Sequence, residues 1–237
     1  MFEIYDTKVE VARALSGYLE RWSAEEGFRS IALSGGSTPR VWFDLLAEEY
    51  KNRLPWQELL FFWGDERCVP PGDAQSNYRM TRKHLLDKVP VEPSHVFRIR
   101  GENPPAEEAQ RYSRVLKEVL PEAGGIPQLD LVILGMGDDG HTASIFPHEM
   151  ELWGSGSLCE VATHPESGQK RISLTGQIIN NAKQVVFLVT GANKATPLAE
   201  IRKKTTGSTQ FPAAHVAPAS GRLLWLVDKD AASENPL

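Results

Sequence analysis

The run Leu129-Asp130-Leu131-Val132-Ile133-Leu134-Gly135-Met136-Gly137-Asp138-Asp139-Gly140-His141 decides how this chain folds. A short apolar stretch that ends in a glycine cluster reads as a strand buried in a parallel sheet. The glycines allow a sharp turn at the strand's carboxyl end, where open α/β sheets place their ligands. On either side the same alternation recurs. Residues 31–33, 59–63, 96–99, 158–162, 172–174, 185–189 and 223–227 are further short apolar runs. Between many of them lie amphipathic segments of helical period, so the chain is expected to be α/β, with βαβ units around a mostly parallel sheet. Thr7 and Glu10 form a capping box for a helix over 8–24 with Val11, Leu15, Tyr18, Leu19 and Trp22 inward. Further helices are predicted over 39–50, with Pro39 first, from Ser76 to 87, from Pro104-Pro105 along the stripe Ala109, Tyr112, Leu116 and Val119, and from Thr196-Pro197 to 204. The stretch 146–156 reads as loop. No linker or repeat divides the 237 residues, so one domain over 1–237 is expected.

Composition narrows the function. With 26 Lys and Arg against 31 Asp and Glu, the net charge is −5, and no basic block is present. Nucleic-acid binding through phosphates is therefore not expected, and any anionic ligand must be held locally. Two cysteines, Cys68 and Cys159, make no disulfide framework and fit a reduced, cytoplasmic setting. No apolar run approaches the ~20 residues of a membrane span. The first residues lack the basic and apolar regions of a signal peptide. No obligate protein partner is apparent.

Two segments carry chemistry. Ser34-Gly35-Gly36-Ser37-Thr38 joins a strand to a helix. Its glycines let backbone approach a ligand, and the helix start offers unpaired N–H groups, which together suit a phosphate; an ordinary capped turn reads the same way. Gly135 to Gly140 matches the dinucleotide fingerprint GxGxxG, with Glu160 twenty residues on. Asp138 and Asp139 would repel a pyrophosphate, and Pro147, Gly154 and Gly156 interrupt the helix that such a unit needs. No nucleotide cofactor is expected. The turn instead presents His141, the side-chain type that takes and returns a proton near neutral pH, with Asp138 or Asp139 to orient it. His141 and His148 have no metal-ligand spacing, so no metal is expected. Gly64-Asp65-Glu66-Arg67 follows another strand and puts charge at the same sheet edge. Lys170, Arg171 and Lys194 are further cations at strand ends.

Taken in order, 33–39, 63–67, Ser76-Asn77, 135–147, 171–175, 191–195 and the end from Pro212 to Asp228 resemble the family of 6-phosphogluconolactonases and glucosamine-6-phosphate isomerases. The resemblance covers nearly the whole chain and is most specific from Gly135 to Pro147. It implies a Rossmann-like parallel sheet, no cofactor, and hydrolysis of 6-phosphoglucono-δ-lactone to 6-phosphogluconate in the pentose phosphate pathway. In that reading His141, Asp65 and Arg67 are the catalytic group. Ser34, Gly35, Gly36, Ser37, Thr38, Asn77, Gly137, Asp138, Arg171 and Lys194 hold the sugar phosphate. Water attacks the lactone carbonyl as His141 takes its proton, and glycine-turn amides or Arg67 meet the oxyanion. The deaminase branch carries a glutamate five residues after this histidine; here Phe146 stands there, which favours the lactonase branch. A deaminase-type enzyme and a non-catalytic sugar-phosphate binder are the alternatives.

Overall fold

The computed structural model describes residues 1–234. In chain order the elements are β1 (Phe2–Tyr5), α1 (Lys8–Glu25), β2 (Ser30–Leu33), α2 (Ser37–Glu49), β3 (Leu60–Trp63), β4 (Asp65–Arg67) and α3 (Asn77–Thr81). A π-helical turn (Arg82–Leu86) extends α3. Then come α4 (Pro105–Val119), β5 (Glu122–Ala123), β6 (Ile126–Pro127), β7 (Leu131–Leu134), β8 (Cys159–Thr163), β9 (Lys170–Leu174), α5 (Gly176–Asn180), β10 (Gln184–Val189), α6 (Ala195–Lys203) and β11 (Leu223–Asp228).

Six strands form one sheet in the order β1-β11-β10-β7-β2-β3, and every neighbouring pair is parallel. β2, β7 and β10 are buried at every residue, which is why they read as unbroken apolar runs rather than alternating ones. Each fully buried Leu, Ile, Val or Phe contributes roughly 1.5–3 kcal/mol. Phe187 of β10 stacks on Trp225 of β11 at 3.9 Å. α1 opens on the expected capping box, with Thr7 and Glu10 exchanging bonds. Trp42 of α2 donates its indole N–H to Ser16 of α1 at 3.1 Å and locks the two helices together.

The order of strands fixes the place of the ligand site. From β2 the chain crosses to β3, toward one edge. From β7 it proceeds to β10 and β11, toward the other. β2 and β7 lie side by side, Ile31 opposite Leu131. Their following loops, 34–36 and 135–140, therefore part company and open a crevice at the topological switch point.

Several local readings differ. α2 begins two residues early, with Gly36 as its cap at φ 106° and Pro39 in its first turn. Residues 96–99 form no strand; only Val96 bridges to Phe61. Part of 146–156 is a helical turn, Pro147–Leu152. α6 starts at Ala195, with Pro197 inside its first turn where no i−4 partner is lost. β4, β9 and β8 do not join the main sheet but form a separate antiparallel one. Gly64 is the switch between the sheets: its N–H bonds Leu33 of β2 at 2.8 Å, and its carbonyl accepts from Leu174 of β9 at 2.8 Å. α4 closes the far side of this junction, where the Tyr112 hydroxyl bonds the backbone of Trp63.

Candidate active site

The Gly135–His141 turn is held from within. Gly137 donates to the His141 carbonyl at 2.9 Å, and Gly140 donates to Gly137 at 3.2 Å. The Asp139 carboxylate folds back onto His141, accepting from its amide at 3.0 Å and contacting ring Nδ1 at 2.6 Å. Position 137 needs glycine, since a β-carbon there would overlap both the ring and the carboxylate. Burial pushes the Asp139 carboxyl up, but the bond and charge of His141 outweigh it and hold the group below its usual range. An ionised Asp139 at Nδ1 leaves Nε2 as the atom free to exchange protons. Asp138, expected among the binding residues, is exposed and makes no hydrogen bond or ion pair among the described residues. Asp139 is the orienting carboxylate.

A second turn pins this one to the antiparallel sheet. Ala143 sits in the left-handed region at φ 49°, a conformation that non-glycine residues hold only when their surroundings impose it. The imposing contacts come from Ser144. Its amide donates to Ser173 at 3.1 Å, its hydroxyl donates to Asp65 at 2.6 Å, and Arg171 reaches the same hydroxyl at 3.4 Å. Phe146, 1% exposed, lies under the catalytic candidate with its ring 4.6 Å from that of His141. The Arg171 guanidinium sits 5.4 Å from the Phe146 ring centroid.

Asp65 and Arg67 are both near this turn and are not bonded to each other among the described residues. Asp65 is 5% exposed, and each of its oxygens already accepts a bond, Oδ2 from Ser144 and Oδ1 from Asn77 at 3.3 Å. It braces the site from behind. The reason is register: pairing of β4 with β9 puts Asp65 opposite Ser173 and turns it inward. Glu66, unassigned by sequence reasoning, is the anchor of the next segment. Its buried carboxylate accepts from the amides of Arg67, Asn77 and Tyr78 and from the Ser76 hydroxyl, at 2.7–3.0 Å. Burial pushes this carboxyl up while those donors pull the other way. Asn77 is thereby pressed against Gly35, where any β-carbon would overlap its amide.

Arg67 and Arg171 stand directly opposite each other on the β4–β9 ladder. Like charges so placed are destabilising, and the Nε of each is buried without a partner. Burial first, then the Arg67 charge, push the Arg171 guanidinium below its usual value. The charges of Asp65 and Glu66 pull the other way, and the two unpartnered Nε groups remain as donors suited to an anionic ligand.

The 34–38 loop lies alongside. A β-carbon on Gly135 would come 3.8 Å from the Ser34 hydroxyl, so the two strand-end loops adjoin. Ser37 opens α2, and its exposed hydroxyl accepts from Lys8 at 3.4 Å, a cation that sequence reasoning did not single out. The Thr38 hydroxyl is used structurally, 2.6 Å from that of Thr190 at the end of β10. Beyond Thr190, Gly191 is held at φ 96° by Asp228, which accepts its amide at 2.9 Å. Lys194 follows in the turn before α6 and has no ion pair among the described residues. Sequence reasoning singled out His141, Arg67, Arg171, Asn77, Lys194 and the 34–38 loop, and missed Glu66, Ser144 and Lys8, which bond to Asn77, Asp65 and Ser37.

Comparison with known proteins supplies a family. Residues 6–225 match the model described as glucosamine-6-phosphate isomerases/6-phosphogluconolactonase. A 6-phosphogluconolactonase of Treponema pallidum is 46% identical over 217 residues, 90% of either chain. One from Haemophilus influenzae is 44% identical over 85% of either. The solved 6-phosphogluconolactonase of Trypanosoma brucei superposes with a TM-score of 0.88 at 30% identity, covering all of this chain and 98% of that one. The chain therefore belongs to the glucosamine-6-phosphate isomerase/6-phosphogluconolactonase family.

Proposed function

We propose that this chain hydrolyses 6-phosphoglucono-δ-lactone to 6-phosphogluconate. The observation that carries the reading is the Asp139–His141 pair set in a crevice beside an anion-binding loop and two opposed guanidiniums. Relatives named 6-phosphogluconolactonase at 44–46% identity support it. Phe146 favours this branch over ring opening, because a buried phenyl ring carries no proton.

The phosphate rests on the free amides at the start of α2, with Arg171 and Lys194 closing on it. The lactone carbonyl then faces His141. Nε2 takes a proton from water as the oxygen bonds the carbonyl carbon; Asp139 stabilises the imidazolium that forms. The amides of Gly137, Gly140, His141 and Thr142 are already bonded inside the turn. The oxyanion therefore falls to a guanidinium, Arg67 in this reading, rather than to the glycine turn. As the tetrahedral centre collapses, the bond to the ring oxygen breaks and Nε2 returns its proton to that oxygen. The product carboxylic acid ionises and releases one proton to solvent.

Acid release from freshly generated lactone, measured against the spontaneous rate, tests this. Wild type is expected to exceed background, and His141→Ala to fall back to it while keeping its melting temperature. No excess rate from folded wild type overturns the lactonase reading.

A further inference from the structure

A cleft of about 340 Å³ runs from the phosphate loop outward between α2 and the helix that begins at Asn77. Ser37, Arg67 and Asn77 form its inner end; Arg40, Arg79 and Lys83 form its outer wall. No aspartate or glutamate lines it, although acids outnumber bases in the chain. Arg40, Arg79 and Lys83 are exposed and have no ion pair among the described residues.

Two features separate this wall from an ordinary solvated surface. Arg79 of α3 and Lys83 of the π-helical turn line the same cleft, so two like charges are gathered there. The same α2 seam is neutralised one turn farther from the crevice. There Asp44 accepts from His84 at 2.9 Å and Lys88 at 3.0 Å. Arg40 is four residues before Asp44, an acid within helical reach, yet Asp44 is engaged by the opposite helix instead. Cation is thus balanced at the outer end of the seam and left bare toward the phosphate loop. A local rule broken beside a ligand site points to the ligand.

We propose that Arg40, Arg79 and Lys83 are a capture subsite for the phosphate dianion of the substrate. They draw it into the cleft and hand it inward to the start of α2. The inference rests on the sugar-phosphate lactone reading above. Focused charge of this kind raises encounter rates by 10–10³, and salt screens it. These side chains bind before the chemistry and do not touch the reacting atoms. They should therefore govern kcat/KM and leave kcat alone.

The test is the triple variant Arg40→Gln/Arg79→Gln/Lys83→Gln beside wild type, with lactone hydrolysis followed from about 20 to 500 mM salt. Exposed positions tolerate such changes, so both proteins should melt alike. Wild-type kcat/KM is expected to fall steeply with salt. The variant is expected about tenfold lower at low salt, nearly flat, and equal to wild type at high salt, with kcat unchanged throughout. Parallel salt curves overturn the proposal, as does a loss confined to kcat. Calorimetric titration with inorganic phosphate gives a readout free of turnover. Weaker, less salt-sensitive binding by the variant supports the subsite even if no lactone is hydrolysed, and equal binding overturns it.

Discussion

His141 and His84 each set ring Nδ1 against an aspartate, Asp139 at 2.6 Å and Asp44 at 2.9 Å. The pairs are chemically alike and differ in everything around them. Asp139 is two residues from its histidine, inside a glycine turn at a strand end. Asp44 is forty residues from His84, across a helix seam, and Lys88 shares it. One pair is built by local backbone geometry and opens on the switch-point crevice; the other fastens two helices and balances a nearby cation. The difference teaches that a histidine–carboxylate pair identifies a proton-transfer site only when the fold sets it before a place for substrate.

The pairs should therefore respond differently to the same change. His141→Asn is expected to lower lactonase kcat by about 10²–10⁴, the usual worth of a general base. His84→Asn, in the outer cleft, should stay within about threefold. Steady-state kinetics on both variants checks this, and comparable losses would dissolve the distinction.

Removing each carboxylate gives a finer reading. Burial pushes Asp139 up, yet its His141 partner holds it below the usual range, so it is anionic wherever the enzyme works. An anion at Nδ1 also holds the ring in place. Asp139→Asn is expected to lower kcat/KM by about a hundredfold through loss of ring placement. Asp44→Asn should leave kcat/KM within about threefold. An unchanged kcat/KM in Asp139→Asn would reduce Asp139 to a packing group.

Much of this was legible in the sequence because it is local. The strand 131–134, its glycine turn and His141 follow one another, so neighbouring residues dictate them. The capping box at Thr7 and the glycine–serine loop 34–38 are local for the same reason. What escaped depends on pairing across long separations. β4 is three residues long and exists because β9, a hundred residues later, pairs with it. Without that register, the bonds that occupy both oxygens of Asp65 stay hidden, and Glu66 reads as a surface charge instead of a buried anchor. Ser144 is identified only by what it reaches, Asp65 and Arg171 on the second sheet. Asp138 and Asp139 are neighbours of the same type, and the turn's geometry alone separates them.

The smallest expected effect concerns stability, and it tests the seam reading of Asp44. Burial pushes that carboxyl up, but bonds from His84 and Lys88 outweigh it and hold it below the usual range. A carboxylate lowered in the folded state stabilises the protein above its unfolded value, about pH 3.9, and loses that contribution as pH falls through the folded value. The side chain is 38% exposed, so solvent screening keeps the contribution at the low end for ion pairs. Asp44→Asn is expected to lower the melting temperature by about 1–3 °C at pH 7. The gap should close as both proteins are acidified below about pH 3, since the wild-type carboxylate then carries no charge either. Thermal denaturation across that range decides the point. A gap that persists in acid assigns the loss to packing of α2 against the π-helical turn and not to charge. A fall in turnover alongside it would make the seam part of the catalytic apparatus and end the contrast between the two pairs.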